Sequence, residues 1–131
     1  MLLSMFAAVA PAMAMAMTDS PIVSHVRAVN DRFKDVAAAV AEGYAPIPCA
    51  SGLQGGAMGV HYVSSKYLKD GVIEIDHPEA VMYEPMADGR MALLAVEYIA
   101  LKGPAALDGH LFNIVTEPNR YGLDQFYELH V

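Results

Sequence analysis

The sequence predicts an α+β domain in which one N-terminal amphipathic helix packs against a mainly antiparallel sheet. Apolar residues recur at helical spacing between Ser20 and Gly43. Strand-like segments follow at Met58 to Val63, Glu79 to Ala100 and Phe126 to Val131. A helix followed by strands and tight turns is typical of the α+β class, and 131 residues make one domain with enough chain to bury a core.

The first 17 residues are interpreted as a secretory signal rather than as part of the fold. Met1 to Met17 has no charged side chain, is too short to span a bilayer comfortably and contains Pro11. Ala12-Met13-Ala14 fits the small-x-small pattern that precedes signal cleavage. We therefore expect a periplasmic or extracellular protein whose mature domain, residues 18–131, has no transmembrane span. The alternative is a hydrophobic N-terminal helix packed on the domain.

The helix is expected to begin at Ser20 and Pro21, because serine is a favoured N-cap and proline fits the first helical position. Gly43 is its expected end, since glycine suits the left-handed residue that follows a helix. One helix of about six turns would then carry an apolar stripe on one face. The stripe consists of Ile22, Val26, Val29, Phe33, Val36 and Val40.

After the helix, two prolines favour an extended conformation for Tyr44 to Cys49. The glycine-rich stretch Ser51 to Gly56 is predicted to be a loop, and it lacks the Lys-Ser/Thr ending of a phosphate-binding loop. Met58 to Val63 alternates as a strand does, which places His61 on one face and Tyr62 on the other.

Three short elements are expected before the second half of the chain. Ser64 to Gly71 is predicted to be a short helical turn that ends at glycine. Val72 to Ile75 is predicted to be a brief strand, and Asp76 to Pro78 a turn. His77, which precedes a proline, is interpreted as a turn residue rather than a ligand.

Glu79 to Ala100 is predicted to be a β-hairpin with Asp88-Gly89 in a type I′ turn. That turn places three pairs opposite each other: Ala80 with Glu97, Met82 with Ala95 and Glu84 with Leu93. These six residues form one face of the hairpin, and the other face consists of Val81, Tyr83, Leu94, Val96 and Tyr98. Both faces are mainly apolar, so the sheet is expected to be covered on both sides or to curl into a barrel.

The remaining chain is rich in turn residues until its last segment. Leu101 to Leu123 reads as loops, with Leu111 to Val115 as a short strand inside them. Phe126 to Val131 has the pattern of a strand, and the sequence stops within it. We therefore expect that this copy is truncated at its C-terminus.

Composition limits the classes of partner. The net charge is −7 with only eight Lys and Arg, which argues against nucleic acid and against an anionic membrane surface. Cys49 is the single cysteine, so the sequence allows no disulfide within the chain. In an exported protein a lone cysteine indicates a free thiol, an intermolecular bond or a missing partner.

Four motifs resemble a group of small exported bacterial proteins known as hypothetical proteins: Gly56–Val63, Ala80–Pro85, Val96–Tyr98 and Phe126–Val131. The resemblance covers roughly residues 43–131. In that group the last strand is longer, runs into Trp-rich sequence and ends near a second cysteine. The resemblance therefore implies that Cys49 has lost a partner with the missing tail, and it implies no activity.

Three ionisable residues interrupt otherwise apolar strand segments: His61, Glu97 and His130. Imidazole and carboxylate groups bind zinc, copper and non-haem iron, and two histidines with one carboxylate form a known open metal site. Glu128 shares a face with His130 and is a further candidate ligand or a supporting partner. Because the three residues form no short signature, the alternative is that each is hydrogen-bonded separately.

Two other classes of function stay open. One is a metal-free pocket for a small apolar ligand, lined by Tyr62, Tyr83, Tyr98 and Phe112, although core packing also explains these aromatic residues. The other is a non-catalytic structural or interaction protein of the cell envelope, which an exposed apolar edge would favour. The sequence indicates no reaction, so it does not decide whether the protein is an enzyme.

Overall fold

The computed structural model describes residues 19–48 and 58–131, and within them the predicted α+β class is confirmed. The expected signal segment Met1 to Met17, Cys49 and the loop Ser51 to Gly56 lie outside the described residues.

The expected single helix of six turns is wrong, because the segment is divided into three parts. Helix α1 (Pro21–Asn30) leads into a 3₁₀ helix (Asp31–Lys34), and helix α2 (Val36–Ala41) follows. The break lies at Asp35, whose backbone is extended and whose side chain accepts a hydrogen bond of 2.9 Å from Ala37 N. An aspartate in this position caps a new helix instead of continuing the old one.

The break changes which side chains reach the core. Ile22, Val26 and Phe33 of the expected stripe are buried, whereas Val40 is exposed and Ala39 is buried in its place. Gly43 has the left-handed backbone expected after the helix end, with φ +93°. Pro21 is the first helical residue as predicted, but the side chain of Ser20 makes no capping bond to a described residue.

The strands are, in chain order, β1 (Ala45–Pro46), β2 (Val60–Val63), β3 (Ala80–Pro85), β4 (Met91–Ala100), β5 (Ala106–Leu107), β6 (His110–Leu111), β7 (Asn113–Val115) and β8 (Phe126–His130). Six of them form one antiparallel sheet in the order β1-β2-β3-β4-β8-β7. The described strands leave this sheet open rather than closed into a barrel. Strands β5 and β6 pair separately.

The β3–β4 hairpin confirms two of the three predicted pairs and corrects the third. Ala80 lies opposite Glu97 and Met82 opposite Ala95, but a β-bulge follows, so Tyr83 instead of Glu84 lies opposite Leu93. The extra residue in the bulge is Leu94. One extra residue shifts the alternation of a strand by one position. Beyond the bulge, the side chains of β4 therefore lie on the opposite face of the sheet from the one predicted.

The type I′ turn predicted at Asp88-Gly89 is also wrong. Type I′ needs positive φ at both central residues, and of these two only Gly89 has it, at +84°. The hairpin closes through bonds from Met86 N to Arg90 O and from Gly89 N to Met86 O, which is a longer loop with glycine in the left-handed position. Positive φ at both residues occurs instead at Asp108-Gly109, between β5 and β6.

The brief strand predicted at Val72 to Ile75 does not form within the described structure. Side chains rather than a neighbouring strand satisfy its last carbonyl group: Ile75 O accepts hydrogen bonds from Tyr98 Oη at 2.6 Å and from Asn30 Nδ2 at 2.8 Å. These two hydrogen bonds attach the segment to helix α1 and to strand β4, but the segment does not pair as a strand of the sheet. The short helical turn predicted at Ser64 to Gly71 is confirmed, because α3 (Ser65–Asp70) ends at a left-handed Gly71.

Leu111 to Val115 forms strand structure as expected, but in two pieces. Phe112 separates β6 from β7, since its side chain is buried and its N–H donates to Ala105 O at 2.9 Å. The two neighbours of Phe112 consequently pair with different strands.

Both faces of the sheet are covered, as the apolar hairpin predicted. The helices pack on one face, over a core built around Phe33, Val81, Tyr83, Val96 and Tyr98. The opposite face buries a smaller apolar group consisting of Ala80, Met82, Ile99 and Phe126. Strand alternation places the candidate metal ligands on this second face.

Candidate metal centre

Three strands of the sheet bring the candidate ligands to one face. Glu97 on β4 lies directly opposite His130 on β8. His61 on β2 pairs with Met82 on β3, the strand between β2 and β4. Ala80, the β3 residue opposite Glu97, carries only a methyl group and leaves room for the imidazole of His61 to extend over β3.

The ligand atoms converge to the spacing that a single ion requires. Nε2 of His61 and Nε2 of His130 each lie 3.6 Å from Oε2 of Glu97, and the three groups together offer ligand atoms within 4.8 Å of one another. The side chains are 3%, 25% and 0% exposed for His61, His130 and Glu97. The site is thus closed except on the side of His130.

Several polar atoms of this group have no hydrogen-bond partner in the described part of the chain. They are Nε2 of His61, Nε2 of His130 and Oε1 of Glu97. An unsatisfied buried polar atom costs about 1–3 kcal/mol, and a charged one costs more. Three converging side chains with such unsatisfied atoms have the arrangement expected of a site that holds a further group.

Tyr121 is the functional residue that gave no signal in the sequence. Its phenol donates a hydrogen bond to Oε2 of Glu97. Its ring packs edge-on against the rings of His61 and Phe126, with distances between ring centroids of 5.9 Å and 5.6 Å. Tyr121 lies in the loop-rich segment, where no periodicity marks a side chain that turns inward.

Asn119 holds the loop that carries Tyr121. Its Oδ1 accepts hydrogen bonds from the N–H groups of Tyr121 and Leu123, each at 3.2 Å. Its Nδ2 donates to Leu123 O at 2.7 Å. Turn residues in the sequence marked the loop at this place, but they gave no information on what the loop covers.

Glu128, the further candidate ligand or supporting partner, lies beside the imidazole of His130. Its Oε1 lies 3.7 Å from Nδ1 of His130, and its carboxyl group also interacts with that of Glu97. Burial, followed by the neighbouring Glu97, raises the pKa of Glu128 to about 7. A carboxylate near the second ring nitrogen is a common partner of a metal-binding histidine.

The electrostatics of the group follow from its burial and from the central carboxylate. Burial lowers the pKa of His61, which keeps this ring neutral. Burial also opposes a charge on His130, but the carboxylates of Glu97 and Glu128 raise its pKa above the usual value. For Glu97, burial alone would raise the pKa, and its contacts with His130, Glu128 and Tyr121 lower it instead. The charge of Glu97 therefore favours the protonated form of His130, whereas burial favours the neutral form of His61.

The aromatic residues proposed for an apolar pocket lie on the other face of the sheet. Tyr83 and Tyr98 are fully buried in the core under the helices, with hydroxyls that donate to Phe33 O and Ile75 O. Phe112 belongs to the same cluster, and Tyr62 packs edge-on against Tyr83 at 5.2 Å. These four residues are therefore separated by the sheet from the His and Glu groups expected to orient a ligand among them.

A second group of possible ligands occurs at the surface, in the turn that contains His77. Glu74, Asp76 and His77 also offer ligand atoms within 4.8 Å, but both acidic residues are exposed. His77 already has partners, since Nδ1 lies 2.7 Å from Glu74 Oε2 and the ring stacks on Tyr67 at 4.8 Å. This agrees with its interpretation as a turn residue and makes it a useful control.

Comparisons with protein-family models, with curated proteins and with solved structures found no match to this chain. None of the helices in residues 19–48 and 58–131 combines the length and the apolar character needed to cross a membrane. The functional conclusion rests on the geometry of the centre.

Proposed function

We propose that this protein binds a divalent transition-metal ion through His61, Glu97 and His130. The observation that carries the proposal is the convergence of three buried ligand groups whose facing atoms lack partners among the described residues. Export remains part of the proposal and is supported by the small-x-small pattern that ends the apolar segment before Met17.

The spacing of the ligand atoms supports a first-row ion. Bonds of about 2.0–2.1 Å at tetrahedral angles put neighbouring ligand atoms roughly 3.3 Å apart. The two Nε2–Oε2 distances of 3.6 Å need only small side-chain rotations to reach that value. Such an ion would satisfy all three groups at once.

Zinc is the ion that we test first. Two imidazoles and one carboxylate form a known three-ligand zinc site that keeps a fourth position for water, and iron and copper also accept these donors. An ion in such a site lowers the pKa of its bound water. His61, Glu97 and His130 would hold the ion, and Tyr121 would fix the orientation of Glu97.

The test is a zinc titration of tag-free full-length protein after removal of metal with a chelator. We expect one zinc per chain, measured by elemental analysis and by competition with a chromophoric chelator. Loss of a direct ligand should weaken binding more than the roughly 10–100-fold typical of supporting residues, so His130→Gln and Glu97→Gln should each exceed that range.

The surface turn supplies the matched control. His77→Gln removes an imidazole from a group with the same types of ligand, and it should leave zinc affinity unchanged. Circular dichroism and thermal unfolding establish that each variant is folded. Zinc bound equally by wild type and by His130→Gln would refute the proposal, and preferential binding of copper or iron would reassign the ion.

One observation favours the alternative of a non-catalytic interaction protein. Leu111 and Ile114 are exposed large apolar side chains, and Ile114 lies on the edge strand β7. An exposed apolar edge strand is a surface on which another chain can pair. If it does so, sedimentation should reveal self-association that Ile114→Lys abolishes; a monomer at all concentrations would count against this function.

A further inference from the structure

A cavity of about 310 Å³ lies beside the proposed metal centre, on the same face of the sheet. Strands β7 and β8 form its floor, and the loop that carries Tyr121 forms a wall. None of the three proposed metal ligands lines it, whereas Tyr121 and Glu128 border both the cavity and the centre. The cavity is therefore a separate site with a shared wall.

The lining combines an apolar surface with two opposite charges. Met58, Val115 and Phe126 supply the apolar part. Arg120 and Glu128 supply one positive and one negative group. The volume is at the small end of the range for ligand sites, about 300–1,000 Å³, which suits a small metabolite rather than a peptide or a nucleotide.

Both charged side chains retain the capacity to bind a ligand. Glu128 is 20% exposed and interacts with the carboxyl group of Glu97, so an ammonium group beside Glu128 would offset the negative charge of this pair. Arg120 places Nη2 3.1 Å from Sδ of Met58. A guanidinium has five N–H donors, so Arg120 accommodates an oxyanion in addition to its contacts within the protein.

We propose that this cavity binds a free amino acid with an apolar side chain. The ligand carboxylate pairs with Arg120, the ammonium group pairs with Glu128, and the side chain packs against Met58, Val115 and Phe126. A simple carboxylate would bring its charge next to Glu128, and a simple amine would bring its charge next to Arg120. A zwitterion is the small molecule that matches both charges, because unpaired or like charges facing each other are selected against.

The probe is L-leucine, compared with two analogues that each lack one charge. 4-Methylpentanoate has the leucine carbon skeleton without the amino group, and L-leucinamide lacks the carboxylate. Binding is measured by calorimetry and by NMR amide shifts on the full-length, metal-free protein. We expect leucine to bind at least tenfold more tightly than either analogue, with the largest amide shifts at Val115 and Phe126.

Variants separate the contributions of the charges from that of the cavity shape. Arg120→Gln should reduce the preference for leucine over leucinamide, and Glu128→Gln should reduce the preference for leucine over 4-methylpentanoate. Val115→Phe fills the cavity without changing its charge and should abolish binding. Arg90→Gln, in the exposed β3–β4 turn, is the control and should bind like wild type.

The proposed amino-acid site and the proposed metal centre can be refuted separately. His130→Gln should lose zinc and still bind leucine, since His130 does not line the cavity. Equal affinity for leucine and 4-methylpentanoate would refute the role of Glu128 and with it the zwitterionic ligand. Absence of binding by all three compounds at millimolar concentration would overturn the site, whether or not zinc binds.

Discussion

Glu97 is the residue on which the candidate centre depends, because its single carboxylate meets both histidines and Tyr121. One oxygen, Oε2, accepts the phenol hydrogen bond, while Oε1 has no partner among the described residues. Burial raises the pKa of Tyr121, so the phenol keeps its proton and remains a donor. Tyr121 therefore holds in place the same carboxylate oxygen that lies 3.6 Å from Nε2 of both histidines.

Tyr121→Phe should weaken zinc binding by about 10–100-fold, the range typical of residues that orient a metal ligand. The packing of the ring against His61 and Phe126 is retained in the variant, but buried Glu97 loses a hydrogen-bond donor, so the metal-free variant should also lose about 1–3 kcal/mol of stability. Competition titration measures the loss of zinc affinity. Tyr67→Phe is the control, since Tyr67 stacks on the surface residue His77; an equal loss in both variants would contradict the role of Tyr121.

Glu79 makes a second residue-scale prediction, which concerns pH. Its carboxyl is fully buried and accepts a hydrogen bond of 2.8 Å from Ile99 N. Burial raises its pKa from 4.5 to about 8 in the folded protein. Below pH 4.5 the group is protonated in both states. Between pH 4.5 and 8 the unfolded chain loses the proton and the folded chain keeps it, so stability falls as pH rises.

Glu79→Gln removes this ionisation and keeps an acceptor for Ile99 N. The variant should therefore gain stability relative to wild type as pH is raised from 5 to 8, measured by urea unfolding at both values. Glu84→Gln, at an exposed position of the same hairpin, should show no such gain. A constant difference between Glu79→Gln and wild type across this range would show that Glu79 ionises in both states alike.

At the scale of elements, the hairpin shows what a pattern can and cannot predict. Placing the turn at Asp88-Gly89 predicted the pairs nearest the site, and these are confirmed although the turn itself is longer. The bulge at Leu94 could not be predicted, because both faces are apolar and a one-residue shift leaves the pattern equally satisfied. The helix break did leave a signal: Asp35 is a favoured N-cap inside an otherwise helical pattern.

The bulge is tested by comparing Leu93→Ala with Leu94→Ala. Leu93 packs against the core under the helices, whereas Leu94 is 49% exposed. Truncation of a buried leucine costs about 2–5 kcal/mol, and a half-buried one costs less, so Leu93→Ala should destabilise by roughly 1–3 kcal/mol. Leu94→Ala should cost under about 1 kcal/mol in the same urea unfolding experiment. The reverse order would support the register without a bulge.

At the scale of the whole molecule, the sequence identified the candidate ligands but not the arrangement that joins them. His61, Glu97 and His130 stood out because charged and polar side chains rarely interrupt apolar strands. That β8 pairs with β4, and so places His130 opposite Glu97, depends on contacts between distant segments that no local pattern encodes. Tyr121 reaches the centre through the same long-range arrangement.

Zinc should raise the stability of the whole domain, because the site exists only in the folded chain. Free zinc at 100 times the dissociation constant adds about 2.7 kcal/mol to the free energy of unfolding. Thermal unfolding of metal-free protein with and without zinc measures the effect. His77→Gln should keep the stabilisation and His130→Gln should lose it; equal stabilisation of both variants would place the ion elsewhere.

The position of β8 in the chain also has a consequence for the order of folding. Strands β2, β3 and β4 pair with neighbours that are close in sequence, but β8 returns to β4 only after the long segment from residue 101 to residue 125. A chain in which β8 has not yet docked has two of the three ligands and holds an ion poorly. Zinc should therefore leave the folding rate almost unchanged and slow unfolding, so that the bound ion lengthens the lifetime of the native protein.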